Sequence, residues 1–142
     1  VETSSNLGIL CLNPEELSAA VSVRSSVGSA KAALGDRICY LTEFLGGEFH
    51  TEGAYPAWEL REQSPLRDKM TEVYRDMYGT EPAVEVIHAG LECGLFYDGL
   101  PDLDCVSIGP DILDIHTTEE RLSVSSAGRV YEYLLRVLRE LR

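Results

Sequence analysis

Apolar and polar residues alternate with two different periods along this chain. Residues 7 to 12 (Leu-Gly-Ile-Leu-Cys-Leu) and 19 to 25 (Ala-Ala-Val-Ser-Val-Arg-Ser) are short β-favouring runs, with turn chemistry in Asn13-Pro14-Glu15-Glu16 between them. They predict a hairpin. In its second strand Val21 and Val23 share one face, and Ser22 and Arg24 share the other. Helical spacing follows at Val27, Ala30, Leu34, Ile38, Leu41 and Leu45, with Ser26 as the expected N-cap and Gly46-Gly47 as the stop. Residues 48 to 54 read as a third, weaker strand, completing a β-β-α-β unit.

Tyr55 to Gln63 has no clear period and reads as a connection. Ser64-Pro65 has the residue types of a helix cap and first turn, and Leu66, Met70, Val73 and Met77 form the predicted buried stripe of that helix, which ends at Gly79. Val84 to His88 and Cys105 to Ile108 are predicted strands. A last helix carries Val130, Leu134, Val137, Leu138 and Leu141 along one side, with Arg136, Arg139 and Arg142 suiting its C-terminal end. Strands alternating with helices predict an α/β layer with parallel neighbours.

Composition narrows the function classes. The 142 residues carry 24 acidic and 12 basic side chains, a formal net charge of -12, which argues against a nucleic-acid surface. From Asp76 to Glu120 there are eleven acidic residues and no Lys or Arg, either a solvated face or one lying beside a bound cation. No run approaches the length of a membrane-spanning helix. Cys11, Cys39, Cys93 and Cys105 show no CxxC spacing and sit in apolar runs, as expected of reduced core thiols in a cytoplasmic protein. The chain opens on Val1, mid-pattern in a strand, as a piece of a longer polypeptide would.

Candidate chemistry rests on a few residues. His50 lies in a short polar stretch and reads as a surface residue. His88 opens His-Ala-Gly-Leu-Glu-Cys-Gly (residues 88 to 94), whose glycines allow close backbone approach to a ligand and whose continuation from Leu91 begins a helix. His116 follows a Gly109-Pro110 turn at the carboxyl end of a predicted strand, where α/β sheets place ligands; in isolation a loop His is more often a surface residue than a ligand, and Thr-Thr-Glu-Glu resembles a short helix cap.

Taken together, Tyr55-Pro56-Ala57-Trp58, Ser64-Pro65-Leu66, His-Ala-Gly-Leu-Glu-Cys-Gly, Pro101-Asp102-Leu103-Asp104 and Ser107-Ile108-Gly109-Pro110 through His116 resemble the C-terminal part of the aminoacyl-histidine dipeptidases of the M20 metallopeptidase family. Thr3 to Leu7 and Ser22 to Ser26 resemble that family's lid. The resemblance implies an α/β fold in two domains. Residues 1–54 would be the second half of the lid, 55–63 a connection, and 64–142 the last part of a catalytic domain that binds two zinc ions. It implies that His116 is a metal ligand and that Arg24 binds the substrate's terminal carboxylate, a role that suits the planar guanidinium fork. Gly90 resembles a backbone contact to the same end of the substrate. Glu92 joins these substrate-binding residues through the shared motif, and His88 belongs to that motif without an assigned role.

The resemblance also implies what stands elsewhere. A first His, a metal-bridging Asp, further carboxylates and a Glu general base belong to the family's N-terminal half, upstream of Val1. The full protein would then be a zinc dipeptidase hydrolysing Xaa-His-type dipeptides, the isolated chain inactive, and a homodimer would form through residues 1–54. The competing reading is a non-catalytic binding or dimerisation module derived from the same fold.

Overall fold

A computed structural model describes residues 1–88, 92–100 and 102–141. The described chain forms two compact units, each discontinuous in sequence: Val1–Arg61 with Glu85–Leu103, and Glu62–Val84 with Asp104–Arg142.

In the first unit β1 (Thr3–Leu12) pairs antiparallel with β2 (Leu17–Ser25), with an irregularity between Leu7 and Ile9. The turn is held by Asn13, whose Oδ1 accepts from the backbone N–H of Glu15 (3.0 Å) and Glu16 (2.8 Å), the reason Asn is favoured there. Helix α1 (Gly28–Phe44) follows. Its N-cap is Val27 instead of the expected Ser26, because Ser26 is buried and its N–H is bound to the Glu2 carbonyl at the hairpin's end. The capping is done from a distance, where Glu59 Oε1 accepts from the Gly28 N–H at 2.7 Å. At the other end Gly46 takes φ +82°, and Gly46 and Gly47 donate to the Glu43 and Thr42 carbonyls, the left-handed stop that the Gly-Gly pair predicts. Helix α3 (Glu92–Gly99) also belongs to this unit; a Cβ on Gly94 would lie 3.0 Å from the Pro56 carbonyl oxygen, so a side chain there would require the neighbouring backbone to shift by a few tenths of an ångström.

The second unit is built on α2 (Pro65–Tyr78) and α4 (Val124–Glu140). Met70, Val73, Tyr133 and Val137 are its buried apolar residues, with Leu66, Tyr74, Met77 and Val106 packed against them. The predicted α2 stripe is therefore the packed face. On α4 the buried residues are instead Ser126, Tyr133 and Val137, with Val130 half-buried; Leu134, Leu138 and Leu141, expected to be inside, are exposed. Two apolar stripes adjoin on that helix, and α2 covers one of them.

Three predicted strands are absent: 48–54, 84–88 and 105–108 have no ladder among the described residues. A strand exists through its neighbour's hydrogen bonds, and Val84, Val86, Ile87 and Ile108 are exposed with no strand beside them. The expected parallel sheet is replaced by two antiparallel pairs, β1–β2 and the short β3 (Ile112–Leu113) with β4 (Arg121–Leu122), which the sequence reading did not anticipate. Cys11 is exposed, and Cys39, Cys93 and Cys105 are half-buried; none forms a disulfide, and none is a core thiol. No described helix is long and apolar enough to cross a membrane.

Candidate functional site

The hairpin register sets the first site. Ser4 stands opposite Arg24 and Asn6 opposite Ser22, so period-2 alternation puts all four on one face while Leu7 and Val21 take the other. This matches the two faces expected of β2. Above the polar face lies a concavity of about 340 Å³, lined by Ser4, Asn6, Ser22, Arg24 and His88. Its chemistry is distinctive for so acidic a chain: of 24 carboxylates, none lines it. The one permanent charge is the Arg24 guanidinium, which among the described residues has no ion-pair partner, whereas Arg75, Arg121, Arg129 and Arg136 are each paired. Around it stand two hydroxyls, an amide and an imidazole, all able to donate a hydrogen bond. Such a surface suits an oxyanion.

Glu92 lies in the first turn of α3, exposed, where the helix dipole favours its charge. Gly90 and Leu91 lie outside the described residues. His88 was singled out only as part of a motif; its place beside Arg24 comes from folding residues 85–103 into the first unit, and no local signal in the sequence foretold it. His50 is exposed, 3.7 Å from Glu48, as a surface residue would be.

His116 belongs to the second unit, in the loop joining β3 to β4. It has φ +65°, and Asp114 has φ +54°, a conformation rare for residues bearing a Cβ. Local bonds hold the turn. Glu120 Oε2 accepts from the His116 N–H (2.8 Å), the Asp114 carbonyl accepts from the Thr117 hydroxyl (2.7 Å), and the Asp114 carboxylate pairs with Arg121 (2.7 Å). Residues 117–120 form turns and no helix, so the helix-cap explanation of Thr-Thr-Glu-Glu fails. The loop is tied to the start of α4 by Ser126, whose hydroxyl accepts from the Asp111 N–H at 2.9 Å, and by Arg129, which pairs with Asp111. The acidic stretch is thus partly neutralised from its flanks: Arg75 takes Glu81, Arg121 takes Asp114, and Arg129 takes Asp111.

Among the described residues no three His, Cys, Asp or Glu side chains converge on a point where a metal could sit. Catalytic zinc needs three protein ligands and an open position, so the described residues do not by themselves supply such a site.

No family model matches the chain. It is 33% identical over 141 residues to the cytosol non-specific dipeptidase of Escherichia coli (strain K12), an alignment covering 99% of this chain and 29% of the relative. Its fold matches the crystal structure of the aminoacylhistidine dipeptidase from Vibrio alginolyticus with a TM-score of 0.82 at 30% identity, again over 99% of this chain and 29% of that one. The chain spans under a third of the length of the relatives it matches. In sequence and in its mixed α/β fold, it is a homologue of these dipeptidases.

Proposed function

We propose that this chain is the C-terminal portion of a cytoplasmic, zinc-dependent M20 dipeptidase that hydrolyses Xaa-His-type dipeptides. In this reading residues 1–54 belong to a lid that also forms a homodimer, 55–63 connect, and 64–142 complete a catalytic domain. Its own part is substrate positioning. Arg24 holds the dipeptide's terminal carboxylate, with the Gly90 backbone contributing at the same end and Glu92 counted among the substrate-binding residues. His116 lends one imidazole to a two-zinc centre whose other donors, and whose general base, lie outside these residues.

The observation that supports this most is the carboxylate-free concavity around Arg24. A guanidinium with no ion-pair partner among the described residues, flanked by hydroxyl and amide donors, can grip a carboxylate through two parallel hydrogen bonds. Fixing that end of a short peptide orients its amide bond and removes rotational freedom before any bond breaks. The homology to dipeptidases supplies the substrate class.

Kinetics of the complete enzyme test it. Arg24→Lys keeps the charge but loses the fork, so kcat/KM for free-carboxylate dipeptides is expected to fall about tenfold, the equivalent of about 1.4 kcal/mol. The same peptides with amidated C-termini should respond much less. Equal kinetics for the variant and the parent on free-carboxylate substrates would remove the role of Arg24.

A further inference from the structure

A carboxylate has two oxygens that can accept from donors on different sides, and one lining residue reaches the concavity from outside the hairpin. His88 is half-buried and shares the lining with Arg24, although 64 positions separate them in the chain. The hairpin contributes Ser4, Asn6, Ser22 and Arg24 from paired strand positions; His88 arrives on the segment preceding α3, within the same compact unit. Among the described residues it makes no hydrogen bond or ion pair to the protein. An imidazole carries an N–H donor in either neutral tautomer and two donors when protonated, so in every state it has a hydrogen to offer a ligand.

We propose that His88 is the second wall of an oxyanion site, donating an imidazole N–H to the same carboxylate that Arg24 holds, and so helps to restrict the cleft to peptides with a free C-terminus. The assignment rests on the carboxylate reading of Arg24 and adds a residue to it. Arg24 supplies charge and two parallel donors from the strand. His88 supplies a donor from a different element, so the anion is clasped between two parts of the unit instead of resting on one strand. A C-terminal amide offers a single carbonyl oxygen and brings two N–H donors of its own against a lining of donors, leaving hydrogens opposed to hydrogens; discrimination by unpaired polar groups is the strong kind.

NMR of the complete enzyme tests this, following the side-chain N–H signals of Arg24 and the imidazole signals of His88, with His50 as an internal reference. The probes are glycylglycine, its C-terminal amide, and inorganic phosphate at matched ionic strength. Millimolar glycylglycine should move both His88 and Arg24 signals along one saturation curve, the amide should move neither, and His50 should stay still. His88→Asn, which keeps a donor of shorter reach, and His88→Ala should each weaken glycylglycine binding about fivefold or more, with the hairpin backbone signals unchanged to show that the fold persists. Movement of Arg24 alone would overturn the role of His88 and leave the carboxylate reading standing. If neither residue responds, both fall. Equal response to the amide, or phosphate binding as tightly as the dipeptide, would overturn the specificity assigned to the pair.

Discussion

Tyr133 shows how much one side chain does in the second unit. It is buried, its hydroxyl donates to the Met70 carbonyl at 2.7 Å, and its ring meets Tyr74 edge-on with centroids 5.7 Å apart. Burial, with smaller contributions from Tyr74 and Tyr78, holds its phenol above the usual tyrosine range. Because folding favours the protonated form, this stabilisation is complete below the ordinary tyrosine pKa near 10 and is lost as pH rises through the elevated folded value. Tyr133→Phe should cost about 1 kcal/mol at neutral pH through the missing hydrogen bond, while flattening the loss of stability above about pH 10. Urea unfolding of parent and variant at neutral and alkaline pH measures both, and parallel losses on alkalinisation would contradict the account. None of this was legible in the helical spacing, which put Leu134 and Leu138 inside. Periodicity identifies an apolar sector of a helix; it does not say which edge a partner covers.

Among the elements, α2 was the most readable. Ser64 and Pro65 occupy the cap and first position as their chemistry predicts: Ser64 Oγ accepts from the Arg67 N–H at 3.1 Å, and Gly79 ends the helix at φ +70°. Asp104, 40 positions on, was invisible to that reading. It accepts from the Ser64 hydroxyl (2.7 Å) and from the Leu66 N–H (2.8 Å), so the cap is a two-residue device. Ser64→Ala is expected to lower stability by about 1–2 kcal/mol, measured by chemical denaturation. Ser64→Asp, ordinarily a good cap, should fail to restore it, since two carboxylates would then face each other. Full rescue by Asp would show that Asp104 has no part in the cap. The strands misread at 48–54, 84–88 and 105–108 failed for the complementary reason. A β-favouring run becomes a strand through a neighbour, and composition does not reveal whether one is present.

For the molecule as a whole, the composition of the chain and the faces it leaves uncovered point the same way. Leu138 on α4, Leu7, Ile9, Leu10 and Leu12 on β1, and Phe44 on α1 are all more than half exposed, a pattern unusual for a self-sufficient domain. The chain matches 29% of each relative, and among the described residues no group of metal-binding side chains converges. The 142 residues alone are therefore expected to hydrolyse no dipeptide and to take up fewer than two zinc ions tightly in a calorimetric titration. Brisk hydrolysis, or two tight sites in one copy, would refute the incomplete-centre reading.

What the amino-acid order determined by itself was local: the Asn13 turn, the Gly46-Gly47 and Gly79 stops, the Ser64 cap, the two faces of β2, and the motif resemblance to the dipeptidases. These depend on backbone dihedrals and contacts within a few positions, which residue type controls directly. Tertiary structure alone decided that Glu59 caps α1, that Asp104 completes the cap of α2, and that His88 stands at the same concavity as Arg24. Each joins residues 31 to 64 positions apart, and such contacts are chosen by how whole elements pack, which no short window of sequence records.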